Sequence, residues 1–215
     1  RIGYSQMYRF GSPPNYNPRH EDSIENLACI NGISAAEMAY DILLENDGNN
    51  FIYAPLVNYA DHTFSVCQKM LEDKNAIMGL GDGGAHVGFI LDAGYPTWLI
   101  SYWSVKKKVF SMEETVRRLT SDTAIAAGLS DRGFLKVGLK ADINIIDWEN
   151  VGSSDPFMTQ DLPAGGKRLM QHTKGYIATI VSGKITYRNG NSTEERPGIL
   201  VRSVKDSKKV FAYTN

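Results

Sequence analysis

Only two cysteines, Cys29 and Cys67, occur in 215 residues, too few for a disulfide framework and without the spacing of a metal knuckle. Both fall on apolar helical stripes and read as buried thiols. No apolar run reaches the roughly 18 to 20 residues of a spanning helix, so the chain reads as soluble, with no membrane as partner. The N-terminus, Arg1-Ile2-Gly3-Tyr4-Ser5-Gln6, has no initiator Met and no hydrophobic signal core, like a chain entered in the middle, and a cytoplasmic location is the expectation. Charge of one sign is also lacking. With 23 Lys and Arg against 24 Asp and Glu the net charge is −1, which gives no reason to expect nucleic acid as partner. What remains, 42% hydrophobic and 22% charged, is ordinary globular material.

The stretch Ile77 to Ile90, Ile-Met-Gly-Leu-Gly-Asp-Gly-Gly-Ala-His-Val-Gly-Phe-Ile, organises the rest. It begins as an apolar run of strand length and breaks into Gly81-Asp82-Gly83-Gly84, so a carboxylate is delivered at a strand end onto backbone that can bend sharply. An α/β scaffold presents catalytic groups in this way. The competing reading is a glycine-rich turn in which Asp82 only caps a neighbouring N–H. Phosphate binding is disfavoured, because the run lacks both G-x-G-x-x-G spacing and a following Lys-Ser/Thr. His86 is placed to line a pocket or orient Asp82, or else is a loop histidine bonded to backbone.

Residues 1 to 20, rich in Tyr, Pro, Gly and Asn, read as a loop packed by its own aromatics. A helix from about Asp22 to Ile30 stops at Asn31-Gly32. Ser34 to Glu37 is a capping-box spacing that opens a second helix ending near Asp47-Gly48. Phe51 to Val57 reads as a strand, Asp61 to Glu72 as a helix and Ile77 to Leu80 as a strand, a βαβ unit with parallel strands. Pro96 suits the first turn of a helix carrying Trp98, Tyr102 and Trp103, whose spacing reads as core. Ser111 to Glu114 opens another helix through Leu119, and Ser121 caps a short one ending at Gly128.

From Leu129 the texture changes. Ala141 to Trp148 reads as a strand, residues 149 to 175 as loop, and Tyr176 to Val181 and Lys184 to Tyr187 as a hairpin turned by Ser182-Gly183. The expected organisation is therefore α/β through residue 130, then antiparallel β from 131 to 215, closing in a solvated tail.

Gly79-Leu80-Gly81-Asp82-Gly83-Gly84-Ala85-His86-Val87, then Leu119 to Ala124, Gly128 to Gly133, Gly138 to Ile143 and Val181 to Lys184, in that order, resemble the C-terminal part of the amidohydrolase superfamily, and within it the N-acyl-D-amino-acid deacylase (D-aminoacylase) group. The resemblance implies the last strands and helices of a metal-dependent-hydrolase (β/α)₈ barrel, followed by strands of a small β-sandwich. It implies one or two divalent metals, usually zinc. By that likeness Asp82 is the terminal aspartate of the eighth barrel strand, a metal contact and the base toward the hydrolytic water, with His86, Gly83 and Gly84 on the substrate. A carboxylate suffices as base where a metal already acidifies the water.

The likeness also implies ligands that the sequence lacks. The histidines are His20, His62, His86 and His172, and no two form the family's His-x-His pair; apart from His86 they read as structural or solvated. One aspartate cannot hold a catalytic zinc. The expectation is therefore the C-terminal portion of a longer enzyme, inactive alone, that acts on a small N-acyl substrate and needs a missing N-terminal half of the barrel or a homo-oligomer. Asp92 and Tyr95 follow within reach of the site. No Arg lies between Asp82 and Val105, where D-aminoacylases often hold a substrate carboxylate, which leaves another N-acyl or cyclic amide open. The alternative is a non-catalytic α/β protein that binds a ligand or partner through the glycine loop.

Overall fold

The first helix starts and stops at its polar punctuation. The Ser23 hydroxyl accepts the Asn26 N–H at 3.3 Å, α1 spans Ile24–Asn31, and Gly32 ends it in the left-handed conformation at φ 66°. The structure, a computed structural model, describes residues 2–79, 81 and 86–202. Its chain divides into two compact units, Arg1–Ala76 and Ile77–Asn215.

In the first unit β1 (Tyr8–Phe10) precedes α1, and α2 (Ala35–Gly48) follows it, capped by Ser34 as its spacing to Glu37 predicts. Ile24 and Ile42 are fully buried and form the core with Ala28, Met38 and Ala39. Each isoleucine contributes about 1.5 to 3 kcal/mol on leaving water. β2 (Phe51–Tyr53) and α3 (Ser65–Glu72) complete the unit. The expected βαβ arrangement does not form here. β2 pairs antiparallel with β1, Tyr8 opposite Tyr53 and Phe10 opposite Phe51, and residues 77–79 carry no strand. The reason is aromatic pairing: Phe10 lies 5.8 Å from the Tyr53 ring, and Tyr16 packs on both at 5.3 and 5.6 Å. The expectation that residues 1 to 20 are packed by their aromatics holds for this cluster.

In the second unit α4 (Tyr95–Trp98) carries Pro96 in its first turn and continues as a π-helix, Leu99–Lys106. Tyr102 and Trp103 are buried, and Trp98 stacks on Tyr102 at 4.5 Å. These aromatics are core, as their spacing suggested. Ser111 accepts the Glu114 N–H at 3.1 Å to open α5 (Met112–Leu119), and α6 (Ser121–Ala126) follows, with Thr120 rather than Ser121 at the cap position. Gly133 then passes α6 at φ 91°, where a Cβ would lie 2.8 Å from that of Ala124, so only glycine fits.

The remaining strands are β3 (Ile143–Ile146), β4 (Gly152–Ser153), β5 (Phe157–Leu162), β6 (Gly166–Met170), β7 (Thr173–Lys174), β8 (Tyr176–Val181), β9 (Lys184–Arg188) and β10 (Asn191–Ser192). They form a four-stranded sheet in the order β10-β9-β8-β3 and two ribbons, β4-β7 and β5-β6. The β8-β9 turn has Ser182 at φ 50° and Gly183 at φ 77°, the two-residue geometry that matches strand twist. Residues 149 to 175 are not the loop their composition suggested: they hold β4 to β7, with Met158 opposite Leu169 and Thr159 opposite Arg168. The expected change of texture near residue 130 falls inside this unit, between α6 and β3. Every strand pairing among the described residues is antiparallel.

Candidate functional site

Gly81 sits where a side chain would be crowded. A Cβ there would lie 3.0 Å from the Asp92 carbonyl oxygen and 3.2 Å from the Ala93 Cα and the Tyr95 ring. The chain therefore passes Gly81 and comes back to it, making a neck between residue 81 and residues 92–95. Asp92 and Tyr95 stand at this neck. Asp82, Gly83 and Gly84 lie outside the described residues.

Beyond them the chain turns at His86, which takes the left-handed conformation at φ 49°. Its carbonyl accepts the N–H groups of Phe89 at 3.0 Å and Ile90 at 3.1 Å. Its imidazole is exposed, with the Phe89 ring 5.3 Å away. An exposed imidazole can donate or accept a hydrogen bond to a bound amide, or orient a carboxylate. The Val87 carbonyl accepts the Leu169 N–H at 2.7 Å, tying the turn to β6. On the return limb Tyr95 donates to the Asp92 carbonyl at 3.1 Å, and the buried Thr97 hydroxyl meets the Tyr176 hydroxyl at 2.9 Å. The limb is thus fastened to β8.

No arginine precedes Val105 in this loop, and the one next to Leu169 is engaged. Arg168 donates to both Asp161 oxygens, at 2.7 and 2.6 Å, holding that carboxyl below its ordinary pKa. His172, read as a loop residue, packs its ring 4.9 Å from Phe157 beside β7. Among the described residues no group of three or more His, Cys, Asp or Glu side chains could hold a metal ion. These side chains by themselves do not fit a catalytic zinc.

The first unit holds a separate cluster that the sequence reading dispersed. His20 and His62 have ring centroids 4.3 Å apart, and Tyr8, whose side chain is buried, hydrogen-bonds the His62 Nδ1. Burial, then the charge of Asp22, raises the Tyr8 pKa above the ordinary phenol value. The spacing of these residues in sequence carries no signal for the contact. In the second unit a groove of about 460 Å³ lies over α5 and α6, lined by Val116, Leu119, Ala124, Phe134 and Leu135. Its charged members, Arg132 and Asp142, are paired with each other at 3.0 Å, so it offers apolar surface and no reactive group.

Compared with known families, the chain matches the amidohydrolase family over residues 15–187. This chain belongs to the amidohydrolase family. The match takes in both the 81–95 neck and turn and the β8-β9 hairpin. The chain is also 33% identical, over 89 residues, to the dihydroorotase of Lactobacillus acidophilus, a match covering 40% of this chain and 20% of that protein. No solved structure matches it. The matched range includes the Gly81–Ile90 stretch, and the fold shows a backbone contact that sequence reasoning passed over, from Leu169 to Val87. Pro163-Ala164-Gly165-Gly166 between two short segments bearing apolar residues, Phe157-Met158 and Leu169-Met170, was the available signal for the β5-β6 hairpin.

Proposed function

We propose that this amidohydrolase-family chain contributes the Asp82 loop of a hydrolase acting on a non-peptide C–N amide bond. Asp82 takes a proton from the attacking water and returns it to the departing nitrogen, one carboxylate serving both moves. His86, Gly83 and Gly84 contact the substrate. The supporting observation is the geometry of the described residues on either side of Asp82: a close approach at Gly81 that crowds a Cβ, a left-handed turn at His86, and a tie from Val87 to β6. Catalysis requires the reacting group to be held in place, and these flanking contacts are compatible with that requirement. When bound, the family's divalent metal, zinc in this reading, would supply an acidified water; Asp82 would be one ligand and the others would come from the N-terminal half of a (β/α)₈ barrel or from a second copy of the chain, with the β-strand region as the sandwich. The reading keeps the protein cytoplasmic, without nucleic acid or membrane as partner.

Two substrate classes follow. An N-acyl-D-amino acid follows from the resemblance of the Gly79–Val87 motif. A cyclic amide such as the substrate of a dihydroorotase is favoured by the dihydroorotase similarity. The test is elemental analysis for zinc on the 215-residue chain, with hydrolysis of an N-acetyl-D-amino acid and of dihydroorotate, before and after adding the N-terminal barrel half. Sub-stoichiometric zinc and no turnover alone, with turnover of one substrate on complementation, is the expected result. One tight zinc per chain with turnover would remove the need for outside ligands, and a complemented enzyme inert to both substrates would remove the substrate assignment.

A further inference from the structure

The hairpin β5-β6 pairs internally and also reaches outward. Leu169 faces Met158 in the ladder, yet its N–H is given to the Val87 carbonyl at 2.7 Å. In an antiparallel ladder alternate residues direct their N–H and C=O groups away from the partner strand. Leu169 is such a residue, and an outward N–H of this kind is the feature by which a strand captures a neighbouring segment. Two residues further on, Gln171 continues the contact: its Nε2 donates to the Ser154 carbonyl at 2.7 Å, and its Oε1 lies 3.6 Å from where a Gly94 Cβ would stand. The strand and its continuation therefore meet the loop at its turn and again beside its neck.

We propose that β6 is the clasp of the candidate site, with the Leu169 N–H as the positioning group that fixes the His86–Ile90 turn. This rests on the reading of that loop as the site and goes beyond it, because Leu169 touches no substrate in the proposal. Its side chain is dispensable; its N–H is not. Among the described residues the turn's own backbone bonds are the two to the His86 carbonyl, and His86 and Phe89 are both exposed. A turn closed by local bonds alone opens readily. One external bond of good length shifts that opening by up to about tenfold.

Hydrogen–deuterium exchange on the full chain tests this. Leu169→Pro deletes the outward N–H and spares the ladder, since proline is tolerated where a strand's N–H faces away from its partner. Exchange at the Phe89 and Ile90 amides should rise roughly tenfold, with β5 and β8 amides unchanged. Leu169→Ala keeps the N–H and should leave Phe89 and Ile90 within about twofold of wild type, a margin smaller than one hydrogen bond. Unchanged exchange in the proline variant, or an equal rise in the alanine variant, overturns the clasp. A second readout covers a proline variant that does not fold. In the wild type the Leu169 amide should exchange together with those of Phe89 and Ile90, because it is released when the turn opens; exchange at the rate of an exposed amide overturns the proposal. None of these readouts uses turnover, so the clasp and the proposed hydrolysis stand or fall separately.

Discussion

Asp142 holds Arg132 with one carboxylate oxygen, at 3.0 Å from Nη1, and the backbone N–H of Ser182 with the other, at 2.8 Å. Beside it the Gly183 N–H donates to the Ala141 carbonyl at 2.9 Å, so the segment leading into β3 is stitched to the tip of the β8-β9 hairpin. Both charged side chains are largely covered, 19% exposed for Arg132 and 25% for Asp142. Arg132 is also held by both oxygens of Asp131, at 2.8 and 3.0 Å, so removing Asp142 leaves that pair in place and takes from the Ser182 N–H its acceptor.

Asp142→Ala should accordingly lower the stability of the second unit by about 1 kcal/mol, the scale of the hydrogen bonds lost. Asp142→Asn, which keeps one acceptor for Ser182, should cost less. Urea unfolding followed on the β-sheet signal checks this, and equal stability of the alanine variant and wild type would show that the stitch carries no weight.

Gly81→Ala probes the neck. Its new methyl meets the Asp92 carbonyl oxygen at 3.0 Å, a backbone atom that cannot rotate away. Relief requires the two limbs to part. The expected outcome is a stability loss of roughly 1 to 3 kcal/mol, in the range of overpacking. Amide exchange should quicken at Tyr95, whose N–H is held by Asp92, and an unperturbed Tyr95 amide would contradict the close approach.

Alkaline pH should loosen the first unit. Tyr53 and Tyr8 both have pKa values raised above the ordinary 10.0, each chiefly by burial. The folded chain keeps these phenols neutral while the unfolded chain ionises them, so their stabilisation is complete below pH 10.0 and is lost as pH rises toward the folded values. Tyr53→Phe removes one such group and should move the alkaline unfolding midpoint upward, monitored by phenolate absorbance and circular dichroism. A midpoint that stays in place would mean Tyr53 ionises freely.

Local chemistry made part of this fold legible. Ser34 and Ser111 cap the helices their spacing to Glu37 and Glu114 indicated, and Ser182-Gly183 makes the two-residue turn. Pairing was not legible in the same way. The run from Phe51 has strand character whether its neighbour is parallel or antiparallel, and the Tyr8 to Phe10 segment that captures it lies more than a helix pair away in sequence. Residues 157 to 170 hid a hairpin because apolar and polar residues mix on both faces, Phe157 with Thr159 and Asp161 on one and Met158 with Gln160 and Leu162 on the other, so no alternation shows. Asp82, Gly83 and Gly84, which the glycine pattern singled out, lie outside the described residues, and the Leu169 N–H bonded to the Val87 carbonyl belongs to a backbone, which leaves no trace in residue type.

The central claim is that Asp82 carries the chemistry, and Asp82→Asn tests it most directly. In the enzyme assembled from this chain and the N-terminal barrel half, turnover and zinc content are measured on the same preparation as for wild type. The account predicts turnover reduced by at least about a hundredfold, the scale of a lost acid–base group, with metal content nearly intact. Wild-type turnover in the asparagine variant would contradict it.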